Sequence, residues 1–355
     1  MKPISDVFAA LASRAAVLAC VALLTACGGG GSSPTDTGAS QSAAAAPATL
    51  MVPAFAPQTV VATGDPAADS VTYLNSTHFN IGYPGVPAID AGLASVAKNH
   101  TLYLVDNATS GHGETPGAPG FTGATPAARI AAVGSYAPTG EVVIGGDPAA
   151  FPSSVSPVQV LFDAPYHRLV MLGNFAQMGV ASTTGAAWQA LTIDFGNQIA
   201  SANELQLAAY PYPGQTGAAT HWLANEEPNP FATQPQYAMT TVGYPITIQS
   251  TVGTMLNSIA FTLTDAGGNN VACLAVTPAT DNTLSNGAMC IPYAPLQANT
   301  RYVIHVTGVL AVQGVLAQTS EAHPIDVSWS FTTIQAAVSR AQMTSPQQER
   351  ALPRF

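Results

Sequence analysis

The chain has 355 residues and a formal net charge of −10, with 8% Asp, Glu, Lys and Arg against 47% apolar residues. That length suits about two domains at roughly 100–200 residues each, and the apolar fraction is ample for packed cores. The charge excludes nucleic acid as a partner, because phosphate binding needs a basic footprint. Between leader and tail the only cationic residues are Lys98, Arg129, Arg168 and Arg301, so there is no polybasic membrane patch either.

At the start, Lys2 and Arg14 flank an apolar run over residues 15–24, the pattern of a secretory signal. The run is shorter than the ~20 residues that span a bilayer. It ends in Leu24-Thr25-Ala26-Cys27, which resembles a lipobox. The reading is a signal peptide over 1–27, with Cys27 diacylated; two acyl chains give stable anchoring. Gly28 follows, with no Asp there to mark inner-membrane retention. By resemblance to Gram-negative lipoproteins, the expectation is an outer-membrane lipoprotein facing the periplasm or the cell surface. Residues 28–65, rich in Gly, Ser, Ala, Thr and Pro, read as a flexible tether.

From residue 66 the pattern changes. Ala67, Val71, Leu74, Asn75 and His78 fall on one helix face, ended by Gly82-Tyr83-Pro84-Gly85. Asp90 is an N-cap for a second helix carrying Leu93, Val96, Ala97, His100, Leu102, Tyr103 and Leu104. Residues 107–119 are Gly-rich and polar, hence a loop. Residues 126–132, with Arg129, read as a short third helix. Val142-Val143-Ile144 is a β-branched run, and residues 161–172 are apolar around Pro165-Tyr166-His167-Arg168. Val180 and residues 188–195 read as strands. In the latter, Trp188, Ala190, Thr192 and Asp194 alternate with Gln189, Leu191, Ile193 and Phe195.

Beyond Tyr210-Pro211-Tyr212-Pro213-Gly214 come short β-rich runs separated by turns: 244–248, 259–264, 271–276, 289–292, 301–306 and 327–333. Asp265-Ala266-Gly267-Gly268-Asn269 is a hairpin signal. About seven short strands argue a β-sandwich. Cys273 and Cys290 would meet an oxidising compartment after export, so they read as a disulfide, with two buried free thiols as the alternative. The bridge would close a loop of about 16 residues, worth roughly 3 kcal/mol. Asn225-Glu226-Glu227-Pro228-Asn229-Pro230 reads as an acidic, solvated loop, with Ca²⁺ bound through its oxygens as the alternative. The tail over 336–355 is polar and reads as disordered.

Seven pieces, in order, resemble the bacterial branch of the CAP superfamily (SCP/PR1-like; cysteine-rich secretory, antigen 5 and pathogenesis-related proteins). They are Leu74-Asn75, Ala97-Lys98-Asn99-His100-Thr101-Leu102-Tyr103, Ser110-Gly111-His112, Thr125-Pro126-Ala127-Ala128-Arg129, Gly140-Glu141-Val142-Val143, Ala164-Pro165-Tyr166-His167-Arg168, and Met178-Gly179-Val180 leading to Trp188-Gln189 and Phe195-Gly196. The sequence departs from the pattern at Val142, at the additional Gly111, at Tyr166 and in the length of the last strand. Residues 295–302 with Trp329-Ser330-Phe331-Thr332-Thr333 resemble bacterial Ig-like domains. The resemblances imply an α+β chain: a CAP-type α-β-α sandwich over 66–205, then an all-β Ig-like sandwich over 206–335.

The CAP resemblance places His112, Glu141 and His167 in a shared cleft. Two imidazoles and a carboxylate can take Zn²⁺, with His112 and His167 as the metal ligands, or move protons near neutral pH. Each residue also has a plainer reading: His112 as a loop histidine, His167 as fixing the turn before its strand, Glu141 as capping a helix or pairing with Arg168. His100 reads as a structural core histidine, and Glu114 as a further candidate ligand. No Gly-x-Ser-x-Gly elbow is present, so no catalytic nucleophile is assigned. Three functional readings stand side by side. The first is a cleft that binds a small lipid, peptide, metal or other cell-envelope ligand, with the Ig-like part as spacer or adhesion unit. The second is a metal-assisted hydrolase, and the third is a structural envelope protein.

Overall fold

The computed structural model describes residues 45–313 and 320–335, and the backbone of 348–351. The signal peptide, Cys27 and the tether up to residue 44 lie outside the described residues. So does the tail apart from 348–351. Among the described residues no helix is long and apolar enough to cross a membrane.

The chain enters with β1 (Thr49–Leu50) and then forms α1 (Pro66–Ile81). Asp65 caps α1 by accepting from the N–H groups of Ala67 and Ala68, and Pro66 occupies the first helical position, where its missing N–H is no loss. Gly82 ends the helix at φ 105, a left-handed conformation that favours glycine. After β2 (Ala88–Ile89), Asp90 caps α2 (Ala91–Asp106) as expected, accepting from Leu93 N. Next come α3 (Pro126–Ala131), β3 (Thr139–Gly146), α4 (Ser156–Asp163), α5 (Pro165–Met171), β4 (Phe175–Thr184) and β5 (Gln189–Gln198). The apolar stretch 161–172 is thus two helices meeting at Ala164.

β2, β4, β5 and β3 lie side by side in that order, and helices cover both faces. Val142, Ile144, Leu191, Ile193 and Phe195 pack with residues of α1 and α4, whereas Val143 and Ala190 pack with Tyr103 and Leu104 of α2. Successive residues of a strand point to opposite faces, so these two groups define the two sides of the sheet. The alternation read in 188–195 therefore does not separate core from solvent: Thr192 and Asp194 are as buried as Ile193 and Phe195. Gly179 of β4 lies where α2 comes closest, because a Cβ there would run into the backbone of Leu93 and Ala94.

The second half adds β6 (Gln206–Tyr210), β7 (His221–Leu223), β8 (Glu226–Glu227), β9 (Thr241–Gly243), β10 (Ile246–Gln249), β11 (Thr254–Thr264), β12 (Cys273–Val276), β13 (Gly287–Pro292), β14 (Arg301–Gln313), β15 (Ser320–Thr332) and β16 (Gln348–Ala351). With β1 they form a five-stranded sheet, β1-β6-β10-β13-β12, a three-stranded sheet, β11-β14-β15, and the pair β7-β9, while β16 and β8 extend the first sheet to β2-β4-β5-β3-β16-β8. The five- and three-stranded sheets turn Ile246, Ile248, Cys290, Ile304, Val306, Trp329 and Phe331 into one apolar cluster. The disulfide Cys273–Cys290 is formed, between the adjacent strands β12 and β13.

Two terminal segments differ from the sequence reading. Part of the expected tether is built into the fold: β1 pairs in parallel with β6, and Ala48 and Met51 are buried. Within the expected disordered tail, Gln348–Ala351 is a strand paired with both β3 and β8. Residues 44–355 form one compact unit, and the same apolar cluster holds Leu74, Leu161, Phe195, Ile248 and Trp329.

Arg168 marks the junction between the halves. It is fully buried and donates to three main-chain carbonyls, from Nε to Phe162 at 2.9 Å, from Nη1 to Pro245 at 2.6 Å and from Nη2 to Asp163 at 3.2 Å. Its guanidinium lies against the rings of Phe162, Tyr210 and Tyr244, with centroids 5.3, 4.7 and 4.9 Å away. Carbonyl dipoles and π faces together replace the water that the charge has lost.

Candidate functional site

His112 lies in the loop between α2 and α3. That loop is clamped from below by Glu114, which accepts from Thr122 N at 2.5 Å, from Gly123 N at 3.1 Å and from His100 Nδ1 at 2.9 Å. The second nitrogen of His100, Nε2, lies 3.0 Å from the Gly111 carbonyl. Gly111 itself sits at φ 103, so the additional glycine is what lets the loop turn into this position. His100 is a buried structural histidine, as read, but it also borders the site, with Nε2 4.0 Å from Glu141.

The first pair of the site is His112 with Glu141. His112 Nδ1 is 2.6 Å from Glu141 Oε1, and Arg129 Nη2 donates to Glu141 Oε2 at 2.7 Å. Arg129 also donates from Nη1 to the carbonyls of His112 and Gly123, so one guanidinium fixes both the acid and the loop that carries the histidine. Glu141 is on β3, directly opposite Asp194 on β5, and both side chains are fully buried. Two carboxyl groups so placed cannot both ionise cheaply. Burial pushes Glu141 up, but the His112 hydrogen bond and the Arg129 charge outweigh it and hold Glu141 well below the carboxylate range. Burial and the neighbouring Glu141 push Asp194 far up, so Asp194 keeps the proton. Burial also lowers His112, in spite of the Glu141 hydrogen bond that raises it.

The second pair is His167 with Glu226. His167 is the third residue of α5, a helix without any side-chain cap of its own and with Pro165 at its first position. The free N–H groups of its first turn need acceptors. Glu226, on β8, supplies them: Oε2 accepts from Tyr166 N at 3.0 Å and Oε1 from His167 N at 2.6 Å. His167 Nδ1 lies 2.6 Å from the same Oε1. The two halves of the site feel each other, since a charge on His167 lowers His112.

Several readings from sequence are corrected by this geometry. His112 is more than a loop histidine, because its ring is bound to a buried carboxylate. His167 belongs to a helix, not to a turn before a strand. Glu141 neither caps a helix nor pairs with Arg168; its cation is Arg129. Of the acidic loop, Asn225 and Glu226 are buried rather than solvated, whereas Glu227 is exposed. Glu226 was not singled out as a partner of the histidines, and one signal could have found it. Ala164-Pro165 opens a helix with no Ser, Thr, Asp or Asn at its cap, which calls for an acceptor from elsewhere in the chain.

The donor set does not fit a metal. Zn²⁺ takes at least three protein ligands and Ca²⁺ six to eight oxygens. Glu141 spends both oxygens on His112 and Arg129, Glu226 spends both on α5 and His167, and Glu114 spends both on its own loop and His100. Among the described residues no group of three or more His, Cys, Asp or Glu is placed to hold an ion. His112 and His167 as metal ligands, and Ca²⁺ on the Glu226 loop, are therefore set aside.

No protein-family model matches the chain, and no curated protein matches it. Among solved structures it is similar to an extracellular protein containing an SCP domain from Bacillus anthracis strain Ames, at 19% identity and a TM-score of 0.31. The match covers 41% of this chain and 45% of that one, so the chain spans less than half the length of that protein.

Proposed function

We propose that this chain is an extracytoplasmic lipoprotein of CAP type, anchored through Cys27 to the outer membrane, whose histidine–glutamate site binds a small cell-envelope ligand. The second half serves as an Ig-like spacer or adhesion unit. The observation that carries the reading is the repeated pair: two histidines on separate elements, each with Nδ1 on a buried carboxylate at 2.6 Å. A carboxylate on Nδ1 fixes the ring and its tautomer. A buried ionised acid beside a buried neutral one is an expensive arrangement to keep in a core, and packing alone does not require it. Metal-assisted hydrolysis is not proposed, since the third ligand is missing, and catalysis is not assigned.

The test is retention of ligand. The purified chain and its His112→Gln/His167→Gln variant are incubated with lipid and peptide fractions of a bacterial envelope, washed, and the retained material is identified by mass spectrometry. The wild type is expected to retain a species that the variant loses, with near-ultraviolet circular dichroism unchanged. A folded double variant that retains the same species to the same extent would overturn the reading.

A further inference from the structure

The site described above is closed. Glu141 and His167 have no exposed surface, Glu226 is 2% exposed and His112 7%. Any ligand of these residues must displace something, and the sheet order indicates what. Glu141 is on β3 and Glu226 is on β8, and these two strands do not pair with each other. β16 lies between them, antiparallel to β3 and parallel to β8. In register, Ala351 stands opposite Glu141 and Arg350 opposite Val142; on the other side Gln348 stands opposite Glu226 and Glu349 opposite Glu227. Among the described residues, four residues from the end of the chain are the only strand linking the two that carry the site's carboxylates.

The sequence of this segment is not that of a core strand. Gln348-Glu349-Arg350-Ala351 offers no large apolar side chain, so what holds it is main-chain pairing along an otherwise open edge of β3. Pro346 and Pro353 stand two residues beyond either end, and proline cannot donate to a ladder, so the sequence limits the strand to this length.

We propose that the gap between β3 and β8 is a site for an extended peptide that enters by strand addition, and that residues 348–351 occupy it as an intramolecular guest, keeping the histidine–glutamate site closed. This rests on the reading of that site as a ligand-binding one, and narrows the ligand to a peptide with no proline over about four residues.

The probe is a fluorescein-labelled peptide of residues 345–355, titrated into the full chain and into a chain ending at residue 347. The truncated chain is expected to bind saturably. The full chain should bind at least ~10-fold more weakly, because a tethered guest competes at high effective concentration. An Ala351→Pro peptide of unchanged charge should lose at least ~10-fold in affinity, since one ladder donor is gone. Hydrogen exchange over residues 140–143 should rise on truncation and fall again when the peptide is added. Should the truncated chain fail to fold, the full chain carrying Ala351→Pro serves in its place and is expected to take the wild-type peptide. Absence of saturable binding to either opened chain, or equal binding of the two peptides, overturns the proposal. If the envelope ligand is retained in a His112- and His167-dependent way while no peptide binds, this inference fails alone. If the peptide binds but the histidine variants retain the envelope ligand unchanged, the strand-addition site stands and the ligand reading falls.

Discussion

Arg129 is the residue on which the electrostatics of the site turn, and replacing it with alanine gives the sharpest test. It is 2% exposed, donates to Glu141 Oε2 at 2.7 Å and to two main-chain carbonyls, and its Nε lies 3.7 Å from Glu114. Its removal leaves Glu141 ionised and buried with only His112 as partner, and leaves the His112 and Gly123 carbonyls without this donor. Breaking a buried pair from one side costs about 3–5 kcal/mol. Glu141 can recover part of this by taking a proton, at about 1.4 kcal/mol per pH unit between its affinity and the solution, so the lower end of that range is expected at pH 7. At roughly 2–4 °C per kcal/mol for a unit of this size, a loss of about 3 kcal/mol should lower the melting temperature by about 6–12 °C. Arg129→Lys keeps the charge but not the planar fork that reaches three acceptors, and should lose a smaller share. Urea unfolding followed by tryptophan fluorescence is the assay, because Trp188 is hydrogen-bonded to Thr109 in the loop that carries His112. The decisive version is a double-mutant cycle with Glu141→Gln: the two changes should be less than additive by at least ~1 kcal/mol. Additive losses, or a loss under about 1 kcal/mol for Arg129→Ala, would refute the assignment of Arg129 as the cation that holds Glu141 ionised.

Three further outcomes follow from the same geometry. Asp194 binds its proton more tightly in the folded chain than in the unfolded one, because burial and the neighbouring Glu141 raise its pKa above the reference 3.8. Its contribution to stability is therefore lost as pH rises from the unfolded value toward the folded one. Asp194→Asn removes that loss, so its stability relative to wild type should climb as pH rises above the reference 3.8, and parallel pH profiles would contradict it. Gly179→Ala forces a methyl group into the Leu93–Ala94 backbone of α2 and should destabilise by about 1–3 kcal/mol or more, read as a drop in melting temperature. Reducing Cys273–Cys290, or replacing both with alanine, should cost roughly 3 kcal/mol, given a loop of about 16 residues, measured by urea unfolding with and without reductant.

Much of the first half is legible because its signals are local. Asp90 and Gly82 lie within one turn of the helices they bound, and both act as their residue types suggest. The disulfide is legible once the apolar leader is read as an export signal, because Cys273 and Cys290 are the two cysteines outside that leader and its end. What sequence reasoning misses is set by distant partners. β1 is a two-residue strand in an Ala- and Pro-rich stretch, and nothing local marks Thr49 and Leu50 as strand; their pairing with Gln206 and Leu207 decides it. The alternation in 188–195 suggests one wet face, but α2 covers the face that carries Thr192 and Asp194. His112 and Glu141 can be nominated from their residue types and order. Their shared cation cannot, because Arg129 and Arg168 are equally buried-looking in sequence, and only the fold sends one to the acid and the other to a cage of aromatic rings.

The way α5 is completed leads to a last expectation. Three of its polar groups find acceptors beyond residue 205: Tyr166 N and His167 N on Glu226, and Arg168 Nη1 on the Pro245 carbonyl. Tyr210 and Tyr244, two of the three rings around the Arg168 guanidinium, lie beyond it as well. A fragment ending at residue 205 would keep the helices and the β2-β4-β5-β3 sheet but would have to leave Nη1 of the guanidinium and two helix N–H groups unpaired or exposed. Each buried unpaired group costs about 1–3 kcal/mol, and more when charged, which together rivals the ~5–15 kcal/mol that stabilises a whole domain. Such a fragment, beginning at residue 45, is expected to show helical far-ultraviolet dichroism without a cooperative thermal transition. Adding the separately expressed remainder should restore the transition if Glu226 and Pro245 are what α5 lacks. A fragment that melts cooperatively alone, with an Arg168→Ala version equally stable, would mean that α5 satisfies itself and that the second half joins a site already complete without it.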